Sequence, residues 1–385
     1  MKRIINKLII IFLFMQPFLD VLTSFQIRFN ILNIYISSII RIVFLLFILI
    51  YMIIYKYDLK IILFMFIYGI IYGGYLLATN SFNLAFDAIR IFYLPVMIIF
   101  FNNEDIKIDK KKVLILYLIY MLLLLIPTMF GFSFDIYEVE KSKKGFIGLF
   151  YGGNELSGIL LGLLPIILNY LQIVKKYYFR IIYYILIIFT FILVSTKTLF
   201  IGGIIVLLIY LFKYILNKKT VNKKYIIGGI VGVLVFLVIA LPYTPVMNNI
   251  KVTLDYYGIN NITDMFNLKT IDNVIYSRRL SYASNLIDEY KNSPIDNKLF
   301  GLKNINNMKD SELDLIDTYM TIGLIGFIVY LIVMGYLLYK YRLKGIYLFS
   351  LILFIIMACL SGHILIKPAV AIYTALIFRL NKEVE

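Results

Sequence analysis

The sequence has no tryptophan, one cysteine and one histidine. A single cysteine excludes an intrachain disulfide and a cysteine-based metal site. A single histidine excludes a zinc site built from several histidines. The sequence also lacks a Gly-rich lysine loop for nucleotide phosphates, a dinucleotide fingerprint and a serine nucleophile elbow. We therefore expect any chemistry to use a substrate that is already activated, and in a lipid environment that points to a lipid-carried donor.

Charged residues are scarce as well, at 16% of the chain against 62% hydrophobic ones. The mean hydropathy is +0.90. Soluble domains have about 25% charged and roughly 45–50% apolar residues. Apolar runs of about 20 residues, the length that crosses a bilayer core, recur along the chain. Because these runs are too long for barrel strands, they predict an all-α polytopic membrane protein with about twelve transmembrane helices.

The spans are predicted from these runs. They are 8–25, 36–55, 61–78, 82–101, 113–130, 155–171, 181–195, 198–212, 225–242, 318–339, 345–361 and 367–380. The first run contains Gln16, Pro17 and Asp20 and has no small-residue cleavage site, so we expect a retained span rather than a signal peptide.

One connection is much longer than the others and lies between the ninth and tenth spans. The chain is accordingly predicted to consist of helices 1–9 over 1–242, an extracytoplasmic loop with short helices over 243–316, and helices 10–12 over 317–385. Apolar residues at helical spacing within 274–292 predict an amphipathic helix in the loop, which Pro294 and Gly301 then interrupt.

Basic residues orient the bundle, because short cytoplasmic loops retain Lys and Arg. They concentrate on the N-terminal side, as in 107–112, 218–224 and 340–344. We therefore expect a multi-pass protein of the cell membrane with both termini cytoplasmic and the large loop extracellular. The Lys and Arg residues of the cytoplasmic side account for the formal net charge of +16. We therefore do not interpret this charge as a sign of nucleic-acid binding.

Five charged residues fall within or at the ends of apolar runs, where a charge costs roughly 2.5–3.5 kcal/mol at mid-membrane. They are Asp20, Arg41, Asp87, Arg90 and Lys197. We expect them to meet in one outward-facing polar cavity. The alternatives are that Asp87 and Arg90, three residues apart, neutralise each other, and that Lys197 extends its ammonium group to the membrane interface.

Three further groups of polar residues are predicted on the extracellular side. Arg278 and Arg279 form a pair in the large loop, either solvated or part of a site. His363 is either a structural residue or a catalytic one. Asp310, Glu312, Asp314 and Asp317 form an acidic cluster immediately before an apolar run that contains Gly323 and Gly326. Hydration of a loop before a span is the alternative role for these carboxylates.

The order of these features resembles the family of O-antigen ligases and O-antigen polymerases, specifically its Gram-positive-type members. The resemblance runs over nearly the full chain, and five stretches carry it: 15-MQPFLDVLTSF-25, 146-FIGLFYGGNELSGILLGLLP-165, 193-LVSTKTLFIGG-203, 277-SRRLSYASNLIDEYKNSPIDNKLFG-301 and 312-ELDLIDTYMTIGLIGF-327. Two departures stand out: the loop has no histidine, and Lys197 occupies a turn where many members have arginine. The first favours a polymerase, or a Gram-positive-type relative, over a lipopolysaccharide ligase.

The resemblance implies a membrane glycosyltransferase that needs neither a metal nor another cofactor. Its members polymerise or ligate oligosaccharide repeats carried on undecaprenyl pyrophosphate, at the outer face of the cytoplasmic membrane, for capsule, exopolysaccharide or other surface glycan. The implied partners are the lipid-linked oligosaccharide, an acceptor glycan and the bilayer, with a chain-length regulator and a flippase as candidates. The alternative class is a transporter or flippase of lipid-linked glycans, which would also have about twelve spans and buried charges.

Residue roles follow from the same resemblance. Cations that stabilise the leaving diphosphate are expected at Arg90, Lys197 and Arg278 or Arg279. The proton of the acceptor hydroxyl needs a base, for which we expect Glu312 first, His363 second and Asp317 third. The acidic cluster then forms the outer rim of the active-site cavity.

Overall fold

The computed structural model describes residues 2–31, 35–104, 106–136, 145–194, 196–217, 241–259, 268–274, 276–303, 305, 310–362 and 364–383. These residues form two compact units, one made of 1–109 and 276–385 and the other of 110–275. The unit boundaries differ from the predicted division at 242 and 316. That division concerns membrane topology and stays a prediction.

Helices make up most of the described chain. In order they are α1 (Lys2–Arg28), α2 (Ile36–Ile54), α3 (Leu59–Ala78), α4 (Ala85–Asn103), α5 (Lys110–Met129), α6 (Gly153–Leu171), α7 (Tyr177–Val194), α8 (Lys197–Asn217), α9 (Pro245–Tyr256), α10 (Leu268–Val274), α11 (Arg279–Asn292), α12 (Ile295–Phe300), α13 (Asp314–Lys340), α14 (Gly345–Leu360) and α15 (Pro368–Lys382). Strands β1 (Phe134–Asp135) and β2 (Phe146–Gly148) pair antiparallel between α5 and α6.

The predicted fold class, an all-α polytopic membrane protein, is confirmed. Eight described helices, α1 to α7 and α13, are long and apolar enough to cross a membrane, and two shorter apolar helices lie in α8 and α14. Each predicted span except 225–242 overlaps a helix. The larger part of that span, 225–240, lies outside the described residues. The loop helix predicted within 274–292 is present as α11.

The core of the first unit is the contact between α4 and α15. Helix α15 is buried along nearly its whole length and α4 from Ile91 onwards, and side chains such as Phe100 and Phe101 have no solvent exposure. Ala371 and Ala375 lie on α15, and small residues of this kind let membrane helices approach closely.

Polar groups hold the C-terminal end of α4. The Glu104 carboxylate is almost fully buried and accepts hydrogen bonds from the hydroxyls of Tyr51 (3.2 Å) and Tyr57 (2.6 Å). Burial and the neighbouring Glu104 raise the pKa of Tyr57 to about 12, so its hydroxyl keeps its proton. Arg379 of α15 donates to the carbonyl of Ile106 at 2.7 Å. These contacts fix the ends of the two core helices.

The second unit is built around α6. Its residues from Leu156 to Leu168 are buried, and α6 packs against α8 and α5. The β1–β2 hairpin packs on α5, where the carbonyl of Leu123 accepts from the N–H of Leu149 at 3.3 Å.

Helix α13 is broken at Gly323, whose backbone angles are φ 66° and ψ −174°. A Cβ atom there would lie 2.5 Å from the carbonyl oxygen of Leu299 and from the nitrogen of Gly301. Gly301 has φ 105°, and a Cβ on it would lie 2.1 Å from the carbonyl oxygen of Thr321. The chain that leaves α12 thus crosses α13 backbone to backbone, and glycine is needed on both sides.

The three carbonyl groups that precede the break accept hydrogen bonds from residues outside α13. The N–H of Leu302 donates to the Met320 carbonyl at 2.8 Å. The hydroxyls of Tyr72 and Tyr68, on α3, donate to the carbonyls of Thr321 (3.0 Å) and Ile322 (3.2 Å). Because lipid offers no hydrogen-bond donors, a non-helical residue in a span requires such partners within the protein.

We predict that Gly323→Ala destabilises the protein by about 1–3 kcal/mol or more, because the new Cβ meets backbone atoms and the residue keeps a positive φ. Gly335→Ala, on the same helix with open space around it, is the matched control and should be neutral or slightly stabilising. Thermal unfolding of the purified protein in nanodiscs measures both variants. Equal melting temperatures for the two would contradict the backbone crossing.

Candidate functional site

A cavity of about 220 Å³ in the first unit lies at the N-terminal ends of α4, α13 and α15. Both polar and apolar side chains line it. They are Asp87, Arg90, Ile91, Ile305, Asp310, Asp317, Thr318, Thr321, Ile366 and Lys367. Asp310 and Arg90 are exposed, so the cavity opens to the surroundings on their side.

Asp317 is the most buried charged residue of this lining, at 5% exposure. Its Oδ1 atom accepts from the backbone N–H of Ser311 (3.0 Å) and from the Ser311 hydroxyl (2.6 Å). Its Oδ2 atom is buried and has no hydrogen-bond partner within the described chain. A buried carboxylate oxygen without a donor is costly, so the arrangement is suited to a ligand that brings one.

Two threonines share the face of α13 that carries Asp317. Thr318 and Thr321 line the same cavity, and the Thr321 hydroxyl donates to the Asp317 carbonyl at 2.7 Å. Sequence reasoning missed both threonines. The signal was available through Thr321, which lies four positions after Asp317 and three after Thr318 and is therefore a helical neighbour of both.

Asp87 and Arg90 enter the cavity from the first turns of α4. The Arg90 Nη1 atom donates to Asp87 Oδ1 at 2.8 Å, and both side chains are partly exposed, at 45% for Arg90 and 30% for Asp87. The pairing suggested by their three-residue spacing is thus present. A guanidinium has five N–H donors, and this bond uses one of them.

Glu312 is held by Arg279 rather than directed into the cavity. The Arg279 Nη2 and Nε atoms donate to Glu312 Oε2 at 2.6 and 3.1 Å. Arg279 also donates through Nη1 to the carbonyl of Leu360 at 2.9 Å, at the C-terminal end of α14. Arg279 is buried, and the Glu312 side chain is 33% exposed. The pair therefore connects α11, the segment before α13 and the end of α14.

Asp314 acts on the backbone of the segment that follows α14. It is fully buried, and its Oδ2 atom accepts from the N–H groups of Ile364 (2.7 Å) and Leu365 (2.6 Å). Gly362 packs so closely on the backbone of Glu312 that a Cβ would lie 2.0 Å from the Glu312 carbonyl oxygen. These contacts hold the segment that leads to Lys367 at the cavity.

The acidic cluster therefore divides into two pairs of residues. Asp310 and Asp317 line the cavity, as expected for its rim, whereas Glu312 and Asp314 hold neighbouring segments in place.

The other predicted site residues lie elsewhere. Arg278 is exposed and has φ 69°, at the N-terminus of α11. Lys197 belongs to the second unit, where its ammonium group donates to the carbonyl of Val274. His363 lies outside the described residues.

The expectation that five intramembrane charges meet in one cavity is wrong. Arg41 pairs with Asp20 and donates to Gln16 at 3.0 Å, and this set lies between α1 and α2. Neither charge is among the described residues that line the cavity of Asp87 and Arg90. The reason is local: the closest opposite charge of Arg41 is on the adjacent helix, and pairing there removes the cost of an isolated buried charge.

Among the residues that the structure describes, no group of three His, Cys, Asp or Glu side chains is placed to hold a metal ion.

The model of one protein family, described as "O-antigen ligase like membrane protein", matches residues 2–265 and 260–380 of the chain. No curated protein and no solved structure gives a match.

We predict that Arg279→Ala lowers the stability of the protein by about 1–3 kcal/mol, because it removes the hydrogen bonds that Arg279 donates to Glu312 and to the Leu360 carbonyl. Arg278→Ala, one residue earlier and exposed, should change stability much less. Adding Glu312→Gln to Arg279→Ala should recover part of the loss, since it removes the carboxylate charge that Arg279 neutralises. Thermal unfolding in nanodiscs distinguishes the variants. Equal losses of stability for Arg278→Ala and Arg279→Ala would contradict a stabilising role for the contacts of Arg279 with Glu312 and Leu360.

Proposed function

The chain belongs to the family of O-antigen ligase-like membrane proteins, and from that membership we propose that it is a membrane glycosyltransferase. The family indicates a role in surface-glycan assembly. The proposed reaction is the transfer of a glycan from undecaprenyl diphosphate to an acceptor sugar hydroxyl, with polymerisation of repeats for capsule or another surface glycan as the specific outcome.

The observation that supports a reaction at the described cavity best is the unpartnered Oδ2 atom of Asp317. It is buried in a lining that also contains the cations Arg90 and Lys367. A base for the acceptor and cations for the leaving group are the two elements that glycan transfer from a diphosphate requires. A carboxylate and two cations line the same cavity, which supports the proposal.

In the proposed step, the acceptor hydroxyl oxygen attacks the anomeric carbon of the lipid-linked sugar. The bond between that carbon and the diphosphate oxygen breaks, and its electron pair leaves with the diphosphate. The hydroxyl proton passes to Asp317 Oδ2. A positioned carboxylate within hydrogen-bond reach of the hydroxyl typically contributes about 10²–10⁴-fold to such a step.

Arg90 is the proposed main contact of the diphosphate. It is partly exposed, and its planar guanidinium offers several N–H groups beyond the one that Asp87 accepts. Lys367 is the second cation of the same lining, and it is a residue to which the sequence assigned no role. Lys197 and Arg278 remain predicted contacts of the diphosphate.

The order of candidate bases changes with the geometry. Glu312 came first on the sequence, but Arg279 occupies its Oε2 atom, and Glu312 is not part of the described cavity lining. We therefore propose Asp317 as the base and Glu312 with Arg279 as positioning residues. His363 keeps its place as the alternative base.

The proposed topology has both termini in the cytoplasm and 243–316 outside, from the distribution of Lys and Arg. The N-terminus of α13 then lies at the outer face. Lipid-linked repeats that have been moved across the membrane would meet the cavity there, and their lipid chains would stay in the bilayer.

We predict that Asp317→Asn lowers the rate of glycan transfer by about 10²–10⁴-fold. Asn keeps a side-chain oxygen that can accept from Ser311, so protein levels should stay normal. Asp288→Asn is the control, because Asp288 is exposed, pairs with Lys291 at 3.4 Å and lies outside the cavity lining. The measurement is electrophoresis of surface glycan and of lipid-linked intermediates from cells that lack the gene and carry each variant.

The outcomes separate the candidate activities. Loss of the high-mass ladder with accumulation of single lipid-linked repeats supports a polymerase. Full-length polymer that stays on its lipid carrier identifies a ligase. An unchanged ladder in Asp317→Asn cells contradicts the proposed base, and an unchanged ladder in cells without the protein contradicts the enzyme and favours transport.

A further inference from the structure

The cavity has two walls of different charge. Residues of α4 and the segment before α15 supply Arg90 and Lys367, together with Asp87. The other wall consists of Asp310, Asp317, Thr318 and Thr321, with Ile305 beside them, and none of its described residues is a cation. We call these four polar residues the carboxylate wall.

Asp317 gives the carboxylate wall an unmet requirement for a hydrogen-bond donor. Its Oδ2 atom is buried without a partner, whereas Asp310 is exposed and forms no hydrogen bond or ion pair with the part of the chain that the structure describes. Ionised carboxylates only accept hydrogen bonds, whereas threonine hydroxyls both donate and accept. A ligand on this wall is therefore favoured when it presents hydroxyl or ammonium groups.

The same wall opposes negative charge. Like charges repel more strongly in a partly buried site than in bulk water, because the effective dielectric constant there is lower. A sugar with its own carboxylate would face both Asp310 and Asp317. Arg90 and Lys367 of the same lining offset part of this repulsion, although Arg90 already pairs with Asp87.

The size of the cavity limits the ligand to a small group. Pockets that enclose drug-sized molecules have volumes of about 300–1,000 Å³. The cavity volume is about 220 Å³, so the part enclosed next to Asp317 fits one sugar unit of the acceptor, and the donor with its diphosphate is expected at the open side, where Arg90 is exposed.

We infer that the carboxylate wall is the subsite for the acceptor sugar and that it selects units that are neutral or carry an ammonium group over uronic acids. The inference rests on the proposed function in taking the ligand to be a sugar. It adds a substrate class, and it makes Asp310 the residue that determines specificity at the open side of the cavity.

The test is binding of three simple glycosides to the full chain in nanodiscs at pH 7. The probes are methyl glucoside, methyl glucosaminide and methyl glucuronide, and saturation-transfer NMR titrations give their relative dissociation constants. Asp310→Asn removes one charge from the wall, and because Asp310 forms no described hydrogen bond or ion pair, the variant should fold. Asp288→Asn removes a charge from an exposed position outside the cavity and is the control.

We expect the wild type to bind the glucuronide at least tenfold more weakly than the glucoside, and the glucosaminide at least as well as the glucoside. Asp310→Asn should reduce the discrimination against the glucuronide by about three- to tenfold, and Asp288→Asn should leave it unchanged. The inference is overturned if the glucuronide binds as tightly as the glucoside, if Asp310→Asn leaves the ratio unchanged, or if no glycoside binds.

The binding measurement needs neither the lipid-linked sugar donor nor turnover. It can therefore contradict the sugar subsite without contradicting the transferase activity, and the reverse. The predicted order of affinities, combined with an unchanged glycan ladder in cells without the protein, would keep the sugar subsite and reject the transferase.

Discussion

Three carbonyl groups before Gly323 must find hydrogen-bond donors within the protein, because the surrounding lipid has none. The loop that follows α12 and the tyrosines of α3 provide them. This requirement ties the segment 299–302 to the break in α13. The first turns of α13, which carry Asp317 and the cavity threonines, are consequently fixed by contacts on both sides of the break. The site depends on that attachment.

Four carboxylates lie within eight residues of the chain, and their surroundings give them different roles. Glu312 pairs with Arg279, and Asp314 accepts from two backbone N–H groups. Asp317 has one satisfied oxygen and one that lacks a donor, whereas Asp310 is exposed at the edge of the cavity. Carboxylates of equal chemistry thus separate into positioning groups and groups available to a ligand, which is how environment assigns roles to acids in many active sites.

Much of the fold was predictable, because hydrophobic length alone identifies helices that cross a membrane. The acidic cluster and Gly323 were also identified as features of the region. The assignment of the base to Glu312 was not secure, since sequence does not show that Arg279 of α11 packs against it. Long-range pairing also explains why Arg41 does not join the other charges: its partners lie on α1, and sequence spacing gives no information about contacts between helices.

A structure of the full chain in nanodiscs with a lipid-linked oligosaccharide donor and an acceptor glycan bound tests the central claim most directly. The account predicts a sugar in the cavity of Asp317 and Arg90, with an acceptor hydroxyl about 2.6–3.2 Å from Asp317 Oδ2. The diphosphate should contact Arg90. A glycan bound at another surface, with Asp317 out of reach of any sugar hydroxyl, would contradict the account.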